Sequence, residues 1–226
     1  MGTDVIFRAD GGSGSGYLAS PTSGKGPGVV VIHEWWGLND QIRGVADMLA
    51  ERGFNALAAD FYHGKSAEIG RSPDAQALQA EMISSNTMER DGRAAAMYLA
   101  QHRATSSRKV GVIGFCMGGY LALLTGTSAP AVVAAIVDCY GVGPGQPDLA
   151  RLKDAAFLGI FGGKDHRADP TVLDAGLTEA GVPHEIHVYP EADHAFMNER
   201  RANVYRADDA ADAWKRSLAF LSDCLT

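Results

Sequence analysis

The chain has 226 residues, of which 46% are hydrophobic, and 20 basic against 27 acidic residues give it a formal net charge of -7. This length suits one α/β domain with a single core, so we expect one domain over residues 1–226. The lysines and arginines are scattered rather than grouped into a patch that could neutralise a row of phosphates, which argues against nucleic acid as a partner.

The sequence carries no signal for secretion or for a membrane. The N-terminus lacks a basic segment followed by an apolar core, and no apolar run approaches the roughly 20 residues needed to cross a bilayer. Cys116, Cys139 and Cys224 lie far apart without a C-x-x-C spacing, which is typical of reduced thiols. We expect a cytoplasmic protein without membrane association.

The N-terminal part predicts a hairpin, then a buried strand and a helix. "DVIFRA" and "GYLAS" flank the Gly/Ser-rich "DGGSGSG", which favours two short strands joined by a turn. "GVVVIHE", from Gly28 to Glu34, is a continuous apolar run typical of a central parallel strand. A helix should follow, with Asn39 or Asp40 as its cap and Gly53 after its end.

The rest of the chain alternates between predicted strands and helices. Strands are predicted at "NALAAD", "KVGVIGF", "AVVAAIVD", "AAFLGIFG" and "HEIHVYP", the last nearer a sheet edge because it alternates in polarity. One or two helices are expected between residues 74 and 102, and further helices at "YLALLTG", "PTVLDAGLTEAG" and the C-terminus. This alternation predicts a mainly parallel sheet with helices on both faces.

Four loops that follow predicted strands carry reactive residues: "HEWWG", "CMGG", "GGKDH" and "EADHAF". Functional groups of such sheets gather at the C-terminal ends of the strands. We therefore expect these loops to converge on one edge of the sheet.

The segment "GFCMGG" fits the G-x-nucleophile-x-G pattern, in which a strand passes into a helix through a strained turn. Gly114 and Gly118 would leave out side chains where the backbone approaches itself closely, and Gly119 would add room. The helix N-terminus should favour the thiolate form of Cys116. The competing interpretation is that Cys116 is a small buried hydrophobic residue.

A thiol nucleophile benefits from a histidine oriented by a carboxylate. Asp165 and His194 follow Cys116 in the chain order of the α/β-hydrolase fold, each directly after a predicted strand. His166 is the one serious competitor for the histidine. Asp165 could instead cap a helix, and a loop histidine is often merely solvated.

The chain resembles the dienelactone hydrolases, also called carboxymethylenebutenolidases, over nearly its whole length. The resemblance rests on "VVVIHEWWGLND", "ALAADFY", "GVIGFCMGG", "GGKD" and "DHAF". It implies an α/β-hydrolase fold, mainly parallel with helices on both faces, and a catalytic triad of Cys116, Asp165 and His194. It also implies that Glu34 takes the cysteine proton when substrate binds. The alternative for Glu34 is a salt bridge or a helix cap.

An oxyanion formed at an ester carbonyl needs backbone donors already in place. One should be the N–H of Met117, directly after the nucleophile, and the other an N–H of the "HEWWG" loop, for which Trp35 is the best candidate. Trp35 and Trp36 would wall an apolar substrate pocket, although one of the two could belong to the core.

Family members that act on dienelactone bind its carboxylate with two arginines, and this chain departs from the pattern at both positions. "DFYHGK" offers His63 and Lys65, and "HAFMNERR" offers Asn198, with Arg200 and Arg201 displaced. Lysine and asparagine do not reproduce the paired N–H donors of arginine. The candidate substrate-binding residues are nevertheless those near these strand ends, although the aromatic ones could be core: Trp36, Tyr62, Lys65, Phe196 and Asn198.

The function predicted from the sequence is the opening of lactones or the cleavage of activated esters through a cysteine acyl-enzyme, with His194 delivering water. A broad-specificity carboxylesterase or thioesterase is the alternative within the class, and a catalytically relict small-molecule-binding scaffold is the alternative outside it. A G-x-G-x-x-G motif and metal-ligand spacings are absent from the sequence, so we expect neither cofactor nor metal. With no apolar helix stripe left over, we expect a monomer.

Overall fold

This computed structural model describes residues 2–225, so residues 1 and 226 of the expected domain lie outside the described residues. The described chain is built around an eight-stranded sheet. The strands are β1 (Thr3–Ala9), β2 (Gly12–Ala19), β3 (Gly28–Ile32), β4 (Asn55–Ala59), β5 (Val110–Phe115), β6 (Val133–Cys139), β7 (Ala156–Gly162) and β8 (His184–Tyr189). The helices are α1 (Asp40–Glu51), α2 (Ser72–Ser85), α3 (Met88–Gln101), α4 (Met117–Ser128), α5 (Pro170–Glu179) and α6 (Ala207–Cys224), with a short 3-10 helix at Leu149–Leu152.

The strand order is β1-β2-β4-β3-β5-β6-β7-β8, and β3 to β8 run parallel. β2 pairs in the antiparallel sense with β1 on one side and with β4 on the other. Helices cover both faces of this sheet, which is the α/β-hydrolase fold. The prediction that "HEIHVYP" lies at the sheet edge is confirmed, because β8 is the terminal strand.

The hairpin differs from the prediction in the length of its turn. Only residues 10 and 11 separate the two strands, and the Gly/Ser-rich "GSGSG" belongs to β2. Phe7 pairs with Gly14, and its ring occupies the space where a side chain on Gly14 would stand. The glycines therefore serve close packing within a strand rather than a long turn.

Strand β3 is fully buried but ends at Ile32, so residues 33 and 34 begin a loop instead of completing the strand. Asn39 caps α1, since its side-chain oxygen accepts hydrogen bonds from the amides of Gln41 and Ile42, at 3.1 and 3.2 Å. Gly53 follows the helix with a φ of 94°, a conformation that glycine adopts without strain.

Two hydrophobic clusters pack on opposite faces of the sheet. Alternate residues of β3 divide between them, with Val30 and Ile32 facing α3 and α4, and Val29 and Val31 facing α1 and α6. Helix α4 is buried on nearly all sides, whereas α2 buries only Ala75 and Met82. In the described part of the chain, no helix is both long and apolar enough to span a membrane.

Candidate active site

The four loops expected to converge do so, and they bring three predicted residues into one hydrogen-bonded chain. His194 Nδ1 lies 2.6 Å from Asp165 Oδ2, and His194 Nε2 lies 3.0 Å from Cys116 Sγ. The carboxylate accepts from Nδ1–H, so Nε2 is left to accept from the thiol. Both His194 and Asp165 are buried, each 8% exposed. His166 is exposed and does not take this position.

The turn that presents the cysteine is strained, as the glycine pattern predicted. Cys116 has φ 56° and ψ -121°, an unfavourable region for a residue with a side chain. A Cβ on Gly114 would overlap the carbonyl of Gly118, and a Cβ on Gly118 would overlap the carbonyls at the end of β3. The turn is fixed from outside by the Cys116 amide, which donates to the Cys139 carbonyl at 2.9 Å.

Glu34 lies buried at the end of β3, 3% exposed. Asn198 Nδ2 donates to Glu34 Oε2 at 2.9 Å, while Oε1 has no hydrogen-bond partner among residues 2–225. Burial raises the pKa of Glu34; the Asn198 hydrogen bond and the charge of Arg201 offset this in part. The nearby Trp36 indole also lowers the pKa of Glu34, although its Nε1 makes no hydrogen bond within the described chain.

The alternatives weighed for Glu34 do not fit its surroundings. Asn39, not Glu34, caps α1, and within the described residues no basic nitrogen forms a salt bridge with Glu34. Its backbone is held in place by His33, whose Nδ1 lies 2.6 Å from the Glu34 carbonyl oxygen while its Nε2 accepts from the Phe61 amide at 3.2 Å. The carboxyl group is thus placed firmly without being neutralised.

Two opposing influences act on the pKa of Cys116. Burial, followed by the negative charge of Glu34, raises the pKa of the Cys116 thiol to about 12. The Met117 amide at the start of α4 and the charges of Arg167 and Arg201 lower it, but by less. The helix N-terminus thus favours the thiolate, as expected, but desolvation outweighs it.

The pKa of Asp165 is shifted in the opposite direction, downward. Burial alone would raise the pKa of Asp165, but hydrogen bonds from His194 and from the Arg167 amide outweigh it and lower the pKa. The Arg167 amide donates to Oδ1 at 2.9 Å, so both carboxylate oxygens are held. A carboxylate so held remains ionised and keeps the imidazole in one orientation.

The expected oxyanion donors lie on adjoining segments. Met117 is the first residue of α4, so its N–H has no partner within the helix. The Tyr62 hydroxyl donates to the Trp35 carbonyl at 3.1 Å and also contacts Met117 Sδ at 3.4 Å. Tyr62 thereby ties the Trp35 loop to the start of α4.

The predicted substrate-binding residues differ in exposure and in the groups that they contact. Lys65 is exposed and its Nζ lies 2.6 Å from a Glu81 oxygen, whereas Asn198 is buried against Glu34. Phe196 is fully buried and packs on two tyrosine rings, which fits a core residue rather than a pocket wall. Trp36 and Tyr62 are also nearly buried, at 4% exposure each.

Sequence reasoning missed the contribution of two arginines. The sequence places Arg201 away from the position of the family arginine, yet its charge lowers the pKa of both Glu34 and Cys116. Arg167, two residues after Asp165, had no assigned role, and only its closeness to "GGKDH" could have drawn notice. Within residues 2–225, no three His, Cys, Asp or Glu side chains are grouped as metal ligands would be.

The chain is similar to several known proteins over nearly its whole length. A model of the dienelactone hydrolase family matches residues 15–225. Protein usf of Aquifex pyrophilus is 37% identical over 235 residues, covering 100% of both chains. A carboxymethylenebutenolidase of Pseudomonas putida is 31% identical over 228 residues, covering 96% of this chain and 94% of its own. A dienelactone hydrolase-like promiscuous phosphotriesterase from metagenomic libraries shares the fold, with a TM-score of 0.87 at 23% identity, covering 100% of this chain and 99% of its own.

Proposed function

The chain belongs to the dienelactone hydrolase family, whose members are hydrolases acting on ester bonds, and we propose that it opens lactones or cleaves activated esters through the thiol of Cys116. The observation that carries the proposal is the hydrogen-bonded chain from Asp165 through His194 to Cys116, set on a strained turn at the end of β5. The carboxymethylenebutenolidase name of a relative supports a lactone as substrate.

The first step is removal of the thiol proton when substrate enters. Glu34 is the proposed acceptor, because burial raises its pKa and so makes it a better base than an exposed carboxylate. Transfer of the proton to Glu34 also removes the negative charge that raises the pKa of Cys116. The thiolate is then stabilised by the Met117 amide and by the two nearby arginines. Activation is thus coupled to neutralisation of Glu34.

Acylation follows by attack of the Cys116 thiolate on the carbonyl carbon of the ester. The C=O electron pair moves to oxygen, where the N–H groups of Met117 and Trp35 would hold the developing charge. When the tetrahedral intermediate collapses, the C–O bond to the leaving oxygen breaks and that oxygen takes the proton held by Glu34, which returns to its carboxylate. For an enol-lactone the leaving group is an enolate, which a weakly basic thiolate can expel.

Deacylation uses the other half of the triad. His194 takes a proton from water as the water attacks the thioester, and Asp165 stabilises the resulting imidazolium. The C–S bond then breaks, the acid product leaves, and the His194 imidazolium gives its proton to the sulfur, which restores the thiol and the neutral imidazole. Every step can be performed by side chains and amides already described, so the proposed reaction uses no cofactor.

A second candidate within the class is a broad-specificity carboxylesterase or thioesterase. Asn198 is uncharged and bound to Glu34, and Lys65 pairs with Glu81 at the surface, so neither reproduces the paired donors of the family arginines. This pairing favours esters without a carboxylate over carboxylate-bearing lactones. The intact triad geometry is the argument against a relict scaffold.

The test is hydrolysis of a dienelactone beside a series of p-nitrophenyl esters, by wild type and by Cys116→Ala, with EDTA present. We expect turnover by wild type, none above background by the variant, and a covalent acyl adduct detected by mass spectrometry in wild type alone. The preferred substrate separates a lactonase from a general esterase. Inactive wild type, or an equally active variant, would overturn the proposal.

A further inference from the structure

His33 is fully buried directly after β3, and both of its ring nitrogens are hydrogen-bonded. The Phe61 amide donates to Nε2 at 3.2 Å, so this nitrogen carries no proton. The ring proton therefore lies on Nδ1, which donates to the Glu34 carbonyl oxygen at 2.6 Å. Burial lowers the pKa of His33, which favours this neutral form. The surroundings of His33 thus fix a single tautomer.

The Glu34 carbonyl that His33 binds belongs to the same peptide unit as the Trp35 N–H, the proposed oxyanion donor. A peptide unit is planar, and none of those in residues 2–225 is cis. Its C=O and N–H bonds therefore point in opposite directions, so a group that sets the direction of the carbonyl also sets that of the N–H. None of the hydrogen bonds within residues 2–225 has the Trp35 amide as its donor, which leaves this N–H for a substrate oxygen.

The backbone of Trp35 is held on both sides. Before it, the Glu34 carbonyl accepts from the Gly37 amide at 3.1 Å as well as from His33. One hydrogen bond lets a peptide tilt about it, whereas two from different donors fix its plane. After it, the Tyr62 hydroxyl donates to the Trp35 carbonyl at 3.1 Å, and the Tyr62 and His33 rings pack with their centroids 4.9 Å apart. A donor at a carbonyl also polarises the peptide and strengthens its N–H.

We propose that His33 is a positioning residue for ester hydrolysis, whose Nδ1–H fixes the Glu34–Trp35 peptide so that the Trp35 N–H meets the oxyanion. The inference rests on the function proposed for Cys116. His33 touches neither the substrate nor the reacting atoms and acts through a backbone donor. Its contribution differs from that of the Glu34 carboxyl group, because it begins only when the carbonyl oxygen of the substrate becomes negative.

Two substitutions separate the two hydrogen bonds of His33. The amide nitrogen of asparagine lies where Nδ1 lies in histidine, so His33→Asn keeps a donor for the Glu34 carbonyl and loses the acceptor for the Phe61 amide. The longer glutamine places its amide near the position of Nε2, so His33→Gln keeps the acceptor and loses the donor. Both variants bury one neutral amide. They are therefore matched in polarity and differ in the hydrogen bond that the proposal requires.

Three rates are measured for wild type and for each variant: hydrolysis of a p-nitrophenyl ester, hydrolysis of the corresponding thionoester, and alkylation of Cys116 by iodoacetamide. Sulfur is a weak hydrogen-bond acceptor, so the thionoester gains less from the oxyanion donors. Alkylation forms no oxyanion, so it reports the reactivity of the thiol alone. The two ester rates come from the same folded molecules, and partial unfolding of a variant leaves their ratio unchanged.

We expect His33→Gln to lower kcat for the ester by about 10- to 100-fold, less than the 10²- to 10³-fold that complete loss of an oxyanion donor costs. KM should hardly change, because the interaction is made only in the transition state. The thionoester and alkylation rates should fall far less, so the ratio of ester to thionoester rates falls as well. His33→Asn should keep this ratio within about threefold of wild type, because it retains the donor.

An unchanged ratio in His33→Gln, an equal fall in both variants, or an equal loss of alkylation would overturn the proposal while leaving the hydrolase function intact. A wild type that hydrolyses neither ester would refute the proposed function and this inference with it. Nitrogen NMR spectroscopy of isotopically labelled wild type gives a check that needs neither variant nor substrate. It should show His33 protonated at Nδ1 alone, and a proton on Nε2 would overturn the proposal.

Discussion

Glu34→Gln should change two properties of the enzyme in opposite directions. Glutamine keeps the shape of the side chain and can still accept the hydrogen bond from Asn198, but it carries no charge and is not a base. Loss of the charge lowers the pKa of Cys116, so the thiol should become more reactive. Loss of the base should make turnover slower, because the proposed acceptor of the thiol proton is gone.

The size of the first effect follows from the raised pKa. With a pKa of about 12, Cys116 is ionised at pH 8 in about one molecule in 10,000, against about one in eleven for a cysteine with the ordinary pKa of 9.0. Complete loss of the shift would accelerate alkylation about 1,000-fold. Burial is the larger cause and persists in the variant, so we expect an acceleration of about three- to thirtyfold. We expect kcat to fall by about 100-fold or more, as for loss of a general base.

The assay is iodoacetamide labelling of Cys116 at pH 8, followed by mass spectrometry, alongside the turnover of a p-nitrophenyl ester. Glu81→Gln is the matched control, because it removes a surface carboxylate paired with Lys65. Labelling of the fully buried Cys139 would report unfolding. The reasoning is refuted if Glu34→Gln is labelled no faster than wild type. If its turnover stays within about twofold of wild type, Glu34 is not the proton acceptor.

Three further changes test the turn, the triad and the support of the glutamate. Gly114→Ala should lower the free energy of unfolding by about 2 kcal/mol or more in urea denaturation, because its Cβ overlaps the carbonyl of Gly118; an unchanged midpoint would contradict this. Asp165→Asn should reduce kcat by about 10³ to 10⁴. Because the pKa of Asp165 is lowered, its carboxylate stabilises the folded state at neutral pH, and this contribution is lost as the pH falls through that pKa. The acid unfolding curves of wild type and of this variant should therefore converge at low pH. Asn198→Ala should raise the pKa of Glu34 further and move the acid limb of the kcat/KM profile to higher pH; an unmoved limb would separate Asn198 from the function of Glu34.

The raised pKa of Cys116 has a consequence for the protein at rest. Oxidation of cysteine proceeds mainly through the thiolate, so a thiol that stays protonated without substrate resists it. Because the same burial disfavours the thiolate, the reaction needs a nearby group that takes the proton from the thiol. Glu34, held at one oxygen by Asn198, is the group that we propose for this step.

Much of the site is determined by local sequence. The glycines around Cys116 are required by backbone overlaps within a few residues, and the Asn39 cap satisfies amides of its own helix. Apolar runs identify buried strands because a strand covered on both faces has no polar side. Since parallel strands place their C-terminal ends along one edge, the positions of Cys116, Asp165 and His194 directly after such strands predict that the three side chains lie close together.

The tertiary structure alone decided what depends on distant neighbours. Asn198 and Glu34 are 164 residues apart, and no periodicity or spacing indicates their hydrogen bond. Gly14, which the sequence places in a turn, belongs to β2, where the ring of Phe7 from the neighbouring strand fills the space beside it. The helix N-terminus favours the thiolate of Cys116, as the sequence predicts, but desolvation outweighs it and raises the pKa of the thiol. Desolvation is a property of everything packed around the sulfur, so it exists only in the folded chain.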